Sequence, residues 1–143
     1  MPDESGAGLP RIKNPAGDLL GLAILSVDRE AGTARVAFDA GPHLCNPMGA
    51  LQGGFIAAML DEAMAIACVA QADFTIAVPT LDLRCNYLEA AKPGRLVAEG
   101  AVLRRGRSVG FLEARLFDAD GKLLATAQAT ARIVPIPPQM TSA

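Results

Sequence analysis

The 143-residue sequence predicts an α+β domain in which one antiparallel sheet packs against one long helix. Three observations lead there. The stretch His43 to Ala70, HLCNPMGALQGGFIAAMLDEAMAIACVA, reads from Gly53 onward as a single helical run. Two short strand-like runs precede it, and strand-sized runs separated by explicit turns follow it. The length allows one core and leaves little room for a second.

The helix is the element around which the rest is arranged. Phe55, Ile56, Met59, Leu60, Met64, Ile66 and Val69 spread apolar groups around it, with Ala in most gaps, which is the pattern of a helix buried on all sides. Only Asp61 and Glu62 interrupt it. Consecutive helical positions point about 100° apart, so the two carboxylates cannot share one solvated stripe. At least one is expected to face protein. An ionised carboxylate withdrawn from water needs a partner, so its presence marks a structural pairing or a chemical task.

In chain order, residues 1–17 hold several prolines and glycines among small polar groups, which predicts a loose arm. Gly21 to Asp28 and Thr33 to Phe38 form a hairpin across the turn Arg29-Glu30-Ala31-Gly32. Asp39 to Gln52 is a Pro- and Gly-containing loop leading into the helix. After it, Thr75 to Leu88 alternates with period two: Leu81, Leu83, Cys85 and Tyr87 on one face, and Thr80, Asp82, Arg84 and Asn86 on the other. Pro79 predicts an edge or a bulge near its start. Arg95 to Leu103, Ser108 to Phe117 and Lys122 to Val134 complete the sheet, joined by Arg104-Arg105-Gly106-Arg107 and Asp118-Ala119-Asp120-Gly121. The prolines after Val134 should stop it. The resulting division is an arm over 1–17, a domain over 18–135 and a tail over 136–143.

Composition narrows the function classes. Charged residues are 20% and hydrophobic ones 51%, which fits a globular protein with surface left to bury against another copy. A net charge of -2 and 4% aromatics supply neither a basic footprint nor stacking platforms for nucleic acid. No apolar run reaches the length of a membrane span without the Asp61-Glu62 interruption, and the first residues do not read as a signal segment, so the expectation is a cytoplasmic protein. Cys45, Cys68 and Cys85 lack paired spacing and are expected to be reduced, with neither a disulfide framework nor a zinc site.

The loop-to-helix junction offers chemistry. N–H groups at Gly53 and Gly54 lack intrahelical acceptors, and without side chains they can be approached closely. Such a terminus can hold a carbonyl oxygen that becomes negative during acyl transfer. A Gly-Gly pair can equally be a tight turn and nothing more.

Read together, the spacings resemble a known family. Asn46-Pro47-Met48-Gly49-Ala50-Leu51-Gln52-Gly53-Gly54 followed by Asp61 is similar to the pattern Asn-x-x-Gly-x-x-His-Gly-Gly, with Asp eight residues after the first Gly, of the hotdog-fold acyl-CoA thioesterases of the phenylacetyl-CoA type. Thr80-Leu-Asp-Leu-Arg-Cys-Asn-Tyr-Leu, the Arg104-Arg105-Gly106-Arg107 turn and the turn ending at Gly121 also fit, so the likeness runs from Leu19 to Val134.

The resemblance implies a hotdog fold, a sheet wrapped around a central helix, and hydrolysis of an acyl-CoA thioester. Asp61 would be general base or nucleophile. Gly53 would donate its N–H to the thioester carbonyl, Asn46 would position water or the acyl group, and Thr80 would assist the water. It further implies a homodimer, or a homotetramer, with the carboxylate from one chain and the glycine terminus from the other. No metal or redox cofactor is implied, CoA entering as part of the substrate.

Gln52 departs from the family pattern, standing where His is usual; it can exchange hydrogen bonds but cannot take a proton near neutral pH. Lost chemistry, leaving a non-catalytic acyl-CoA or small-ligand binding module, is therefore the alternative. Glu62 competes with Asp61, whose spacing from Gly53 fits better. His43, the only histidine, would have to serve a hotdog hydratase or dehydratase, and its placement does not match. Arg104, Arg105, Arg107 and Lys92 suit CoA phosphates or, equally, solvated turns.

Overall fold

Asn14 and Pro15 open a helix where the sequence predicted only the end of a loose arm. The computed structural model describes residues 9, 10 and 12–137, so most of the expected arm (1–8) and tail (138–143) lies outside the described residues. Helix α1 (Pro15–Leu19) starts because the Asn14 side chain accepts a bond from the Gly17 N–H at 3.0 Å and proline occupies the first helical position.

Strands β1 (Leu22–Asp28) and β2 (Thr33–Ala40) form the expected hairpin, closed at Gly32, whose φ of 69° favours glycine. A short 3-10 turn (Pro42–Leu44) leads to α2 (Gly53–Gln71). Pro79 divides the run after the helix into β3 (Ile76–Ala77) and β4 (Thr80–Tyr87) rather than merely bulging one strand. β5 (Gly94–Arg105), β6 (Val109–Phe117) and β7 (Leu123–Arg132) follow. The last expected strand also splits, with β8 (Val134–Pro135) leaving the main sheet to pair with β3.

The main sheet is antiparallel throughout and ordered β1-β2-β5-β6-β7-β4, so β1 and β4 are its edges. Its inner face carries Val36, Phe38, Leu96, Ala98, Leu112, Leu116 and the alanines of β7, packed on Met59, Leu60, Ala63, Met64 and Ala67 of α2. Small residues let the layers close. This is the hotdog arrangement.

α2 departs from the sequence reading in one respect. Within one chain it buries a single face, and Phe55, Ala58, Asp61, Glu62, Ile66 and Val69 are only half-buried. By length and composition α2 could cross a membrane, yet here it is the helix on which the sheet is built.

Candidate active site

Residues 44–54 are tied together before any chemistry is considered. The Asn46 Oδ1 accepts from the N–H groups of Met48 at 2.9 Å and Ala50 at 3.2 Å, and its backbone N–H donates to the Ala50 carbonyl at 2.7 Å. That is a local Asx-type closure, reinforced by a bridge between Cys45 and Leu51. With Oδ1 so engaged, Asn46 presents Nδ2 as a donor. Its expected role is narrowed to donation.

Gln52 is the N-cap of α2 and is exposed. Its backbone N–H donates to Leu44 at 2.9 Å and its carbonyl accepts from Phe55 at 3.0 Å, while its side chain makes no capping bond. The Gly53 and Gly54 N–H groups therefore head the helix without a side-chain cap, at the positive end of its dipole. Tyr87 stands over the same end, its hydroxyl donating to the Gly53 carbonyl at 2.7 Å. A groove of about 340 Å³ opens there, bounded by Asn46, Gly53, Ile56, Tyr87 and Leu88.

Asp61 and Glu62 have parted company. The Thr80 hydroxyl donates to Asp61 Oδ1 at 2.8 Å. Strict alternation would have put Thr80 on the outer face of the sheet; a register shift between Thr80 and Asp82 turns it toward the helix, and Leu81 is left 61% exposed. Glu62 instead meets the chain's beginning, where Asn14 Nδ2 donates to both its carboxylate oxygens at 3.2 and 3.1 Å. Nothing in the apolar spacing of α2 distinguished the two. The Asn14-Pro15 pair was a legible N-cap signal, but it lay in a stretch read as loose.

Burial pushes the Glu62 carboxyl above its ordinary value, the Asn14 bond opposes this, and the neighbouring Asp61 charge adds to it. A carboxyl whose pKa is raised on folding contributes stability that is fully present below about 4.5 and is lost as pH rises through the raised value. Glu62→Gln keeps an acceptor for Asn14 and removes the titration. Denaturation from pH 4 to 8 should show wild type losing ground to Glu62→Gln as pH rises, and a constant gap would contradict this.

The cationic residues are dispersed. Lys92 precedes β5 and Arg104 and Arg105 end it, so one chain holds them at opposite ends of a twelve-residue strand. Arg105 Nε donates to Gln71 at the far end of α2, at 3.0 Å, and Arg104 and Arg107 are exposed beside it. His43 is exposed in the 3-10 turn. Cys68 is buried and Cys45 and Cys85 half-buried, all as free thiols. A larger hollow of about 620 Å³, on the outer face of the sheet among Arg35, Arg84, Glu99, Glu113 and Arg115, contains none of the expected site residues.

Residues 48–125 match the family model of the thioesterase superfamily. The chain belongs to the thioesterase superfamily. By that membership it is a thioester hydrolase. The match includes Gln52, Gly53, Asp61, Thr80, Lys92 and the arginine turn, and stops just short of Asn46. Among members of the thioesterase superfamily of known structure, a phenylacetic acid degradation-related candidate thioesterase of Ralstonia eutropha is 37% identical. It superposes with a TM-score of 0.78 over 84% of this chain and 91% of its own. The medium/long-chain acyl-CoA thioesterase YigI of Salmonella typhimurium is 30% identical, covering 71% of this chain and 75% of its own. A candidate esterase of Pseudomonas aeruginosa is 31% identical, covering 87% and 85%.

Proposed function

We propose that the protein hydrolyses an acyl-CoA thioester to the free acid and CoA, as a homodimer whose two active sites are each built from both chains. One observation carries this reading: two half-sites on a single helix that cannot meet. Gly53 and Gly54 offer uncapped N–H donors, and eight residues on, Asp61 is held by Thr80. Eight residues of helix separate them by about 12 Å, whereas reacting atoms must approach to about 3–3.5 Å.

A second copy related by a two-fold axis removes the difficulty, its Gly53 facing the first chain's Asp61 and the reverse. The half-exposed flank of α2 and the open β4 edge, with Leu81 61% and Leu88 54% exposed, are apolar surfaces suited to such a copy. A tetramer would pair two such dimers.

In this reading the thioester carbonyl oxygen lies against the Gly53 N–H, where the helix terminus stabilises developing negative charge. Asp61 draws a proton from water as the water attacks the carbonyl carbon, or attacks it directly to form an acyl-aspartyl anhydride, which water then opens to the free acid, regenerating the carboxylate and releasing a proton. The carbon–sulfur bond breaks and the CoA thiolate receives the proton. Thr80, donating to Asp61, offers its lone pairs to that water, and Asn46 offers Nδ2. Gln52 hydrogen-bonds the bound acyl group or water and moves no proton.

The acyl-CoA substrate follows the named activity of the Salmonella relative. Lys92 and the Arg104, Arg105 and Arg107 turn are available for its phosphates, each from a different end of a chain. The reaction uses no metal or redox cofactor, and the cytoplasm is the assigned compartment, with neither nucleic acid nor membrane as partner.

Thiol release from aryl and aliphatic acyl-CoAs, measured across a range of protein concentrations, tests the reading. Turnover of at least one thioester is expected, with specific activity falling as dilution separates the chains. If CoA esters bind and no thiol appears, the protein is a binding module on this fold, with Gln52 in place of the working His. Constant specific activity down to demonstrated monomer would remove the shared site.

A further inference from the structure

We infer that Tyr87 is a positioning residue for the oxyanion donor, acting through its own chain's Gly53 and therefore in the active site opposite to the one its own Asp61 serves. This rests on the shared-site thioesterase reading. Strand β4 runs back along α2 and touches it at two functional points: Thr80 at Asp61, at 2.8 Å, and Tyr87 at the Gly53 carbonyl, at 2.7 Å. Among the described residues, the Tyr87 bond is the one side-chain hydrogen bond to the start of α2, because Gln52 caps nothing with its side chain.

The contact is also steric. A Cβ at Gly53 would lie 3.3 Å from Tyr87 Cζ and 3.4 Å from its hydroxyl oxygen, so the ring is seated on the glycine. At Gly54 a Cβ would meet nothing within 4 Å. The Gly53 carbonyl shares its plane with the Gly54 N–H, so fixing it orients that group directly and restricts ψ of Gly53, the residue whose own N–H faces the substrate. Partial burial, with the adjacent Cys85 thiol, pushes the Tyr87 phenol above its ordinary value, so it remains a donor through neutral pH.

Tyr87→Phe keeps the ring on Gly53 and removes only the donated bond. Loss of one such bond from a preorganised donor should lower kcat about three- to tenfold, with KM within about twofold. A kcat within about twofold of wild type overturns the inference.

Mixed dimers, purified through two different tags, identify which half-site Tyr87 serves. Pairing an Asp61→Asn chain with a Tyr87→Phe chain leaves one live site, and that site takes its Gly53 from the chain with intact Tyr87. It should turn over at the wild-type rate per site. Pairing the double variant with wild type leaves a live site whose Gly53 lacks the tyrosine bond, and that site should show the full Tyr87→Phe defect. The reverse pattern would assign Tyr87 to its own chain's Asp61, and equal rates would make its role general to the fold; either overturns the inference.

Backbone NMR relaxation at Gly53 and Gly54 separates this inference from the functional reading. Tyr87→Phe should lower the N–H order parameters there and leave the rest of α2 unchanged, even in a protein that releases no thiol. Unchanged order parameters count against Tyr87 whatever the activity.

Discussion

Asp61→Asn should keep the fold and reduce thiol release by more than about 10²-fold, the scale expected for loss of a general base or nucleophile. Asn preserves size and still accepts the Thr80 hydroxyl through its amide oxygen, so the bond at 2.8 Å survives while basicity disappears. KM should move little, because binding of the acyl-CoA does not depend on the carboxylate's charge. Glu62→Gln is the matched control. Its carboxylate is engaged by Asn14 on a different side of the helix, so its kcat should stay near wild type. Steady-state kinetics of the two variants decide the assignment; equal losses would mean that the pair acts as a unit, and a loss confined to Glu62→Gln would move the reacting carboxylate.

Gly100→Ala should destabilise the fold strongly although it adds only one methyl group. A Cβ at this position, in the middle of β5, would lie 2.2 Å from the Ala63 carbonyl oxygen and 2.5 Å from its carbonyl carbon. Both are helix backbone, which cannot turn aside as a side chain can. The helix must lift from the sheet, and overpacking costs about 1–3 kcal/mol, here toward the upper end because the clash is with backbone. Ala63 lies two residues from Asp61, so the displacement should reach the site as well. Denaturant unfolding of Gly100→Ala checks the first effect, and an unchanged midpoint would refute the close contact.

The sequence was most legible where one period governed a segment. α2 starts at Gly53 as its apolar run predicts, and the alanine side of β7 follows its alternation, because a strand with one apolar face announces that face. What misled was local interruption. The register shift after Thr80 moved that side chain to the helix side, and Pro79 and the break before Val134 turned two long strands into four. No periodicity encodes a bulge. The buried-all-round reading of α2 describes a surface that a single chain covers only in part, since hydrophobicity does not say which molecule does the covering.

Individual site residues were less accessible still. Spacing paired Gly53 with Asp61, but the bond from Tyr87 and the tie from Asn14 to Glu62 depend on distant segments brought together. Tyr87 shares the apolar face of its strand with Leu83 and Cys85, which is the only trace of its position the sequence holds. Gly100 carried a hint in its type, because glycine inside a strand often marks close backbone approach.

The order of elements has a consequence for the making of the chain. α2 ends at Gln71, while β7, which covers it, ends at Arg132, sixty-one residues later. At ribosomal rates of about 5–20 residues per second, that delay is about 3–12 s. Until β5, β6 and β7 follow in turn, the growing polypeptide carries a helix with the length and composition of a membrane span and only part of its sheet to shelter it. The period of greatest vulnerability therefore belongs to translation, when this segment is open to aggregation and to the binding of chaperones, and it closes only once the last long strand is in place.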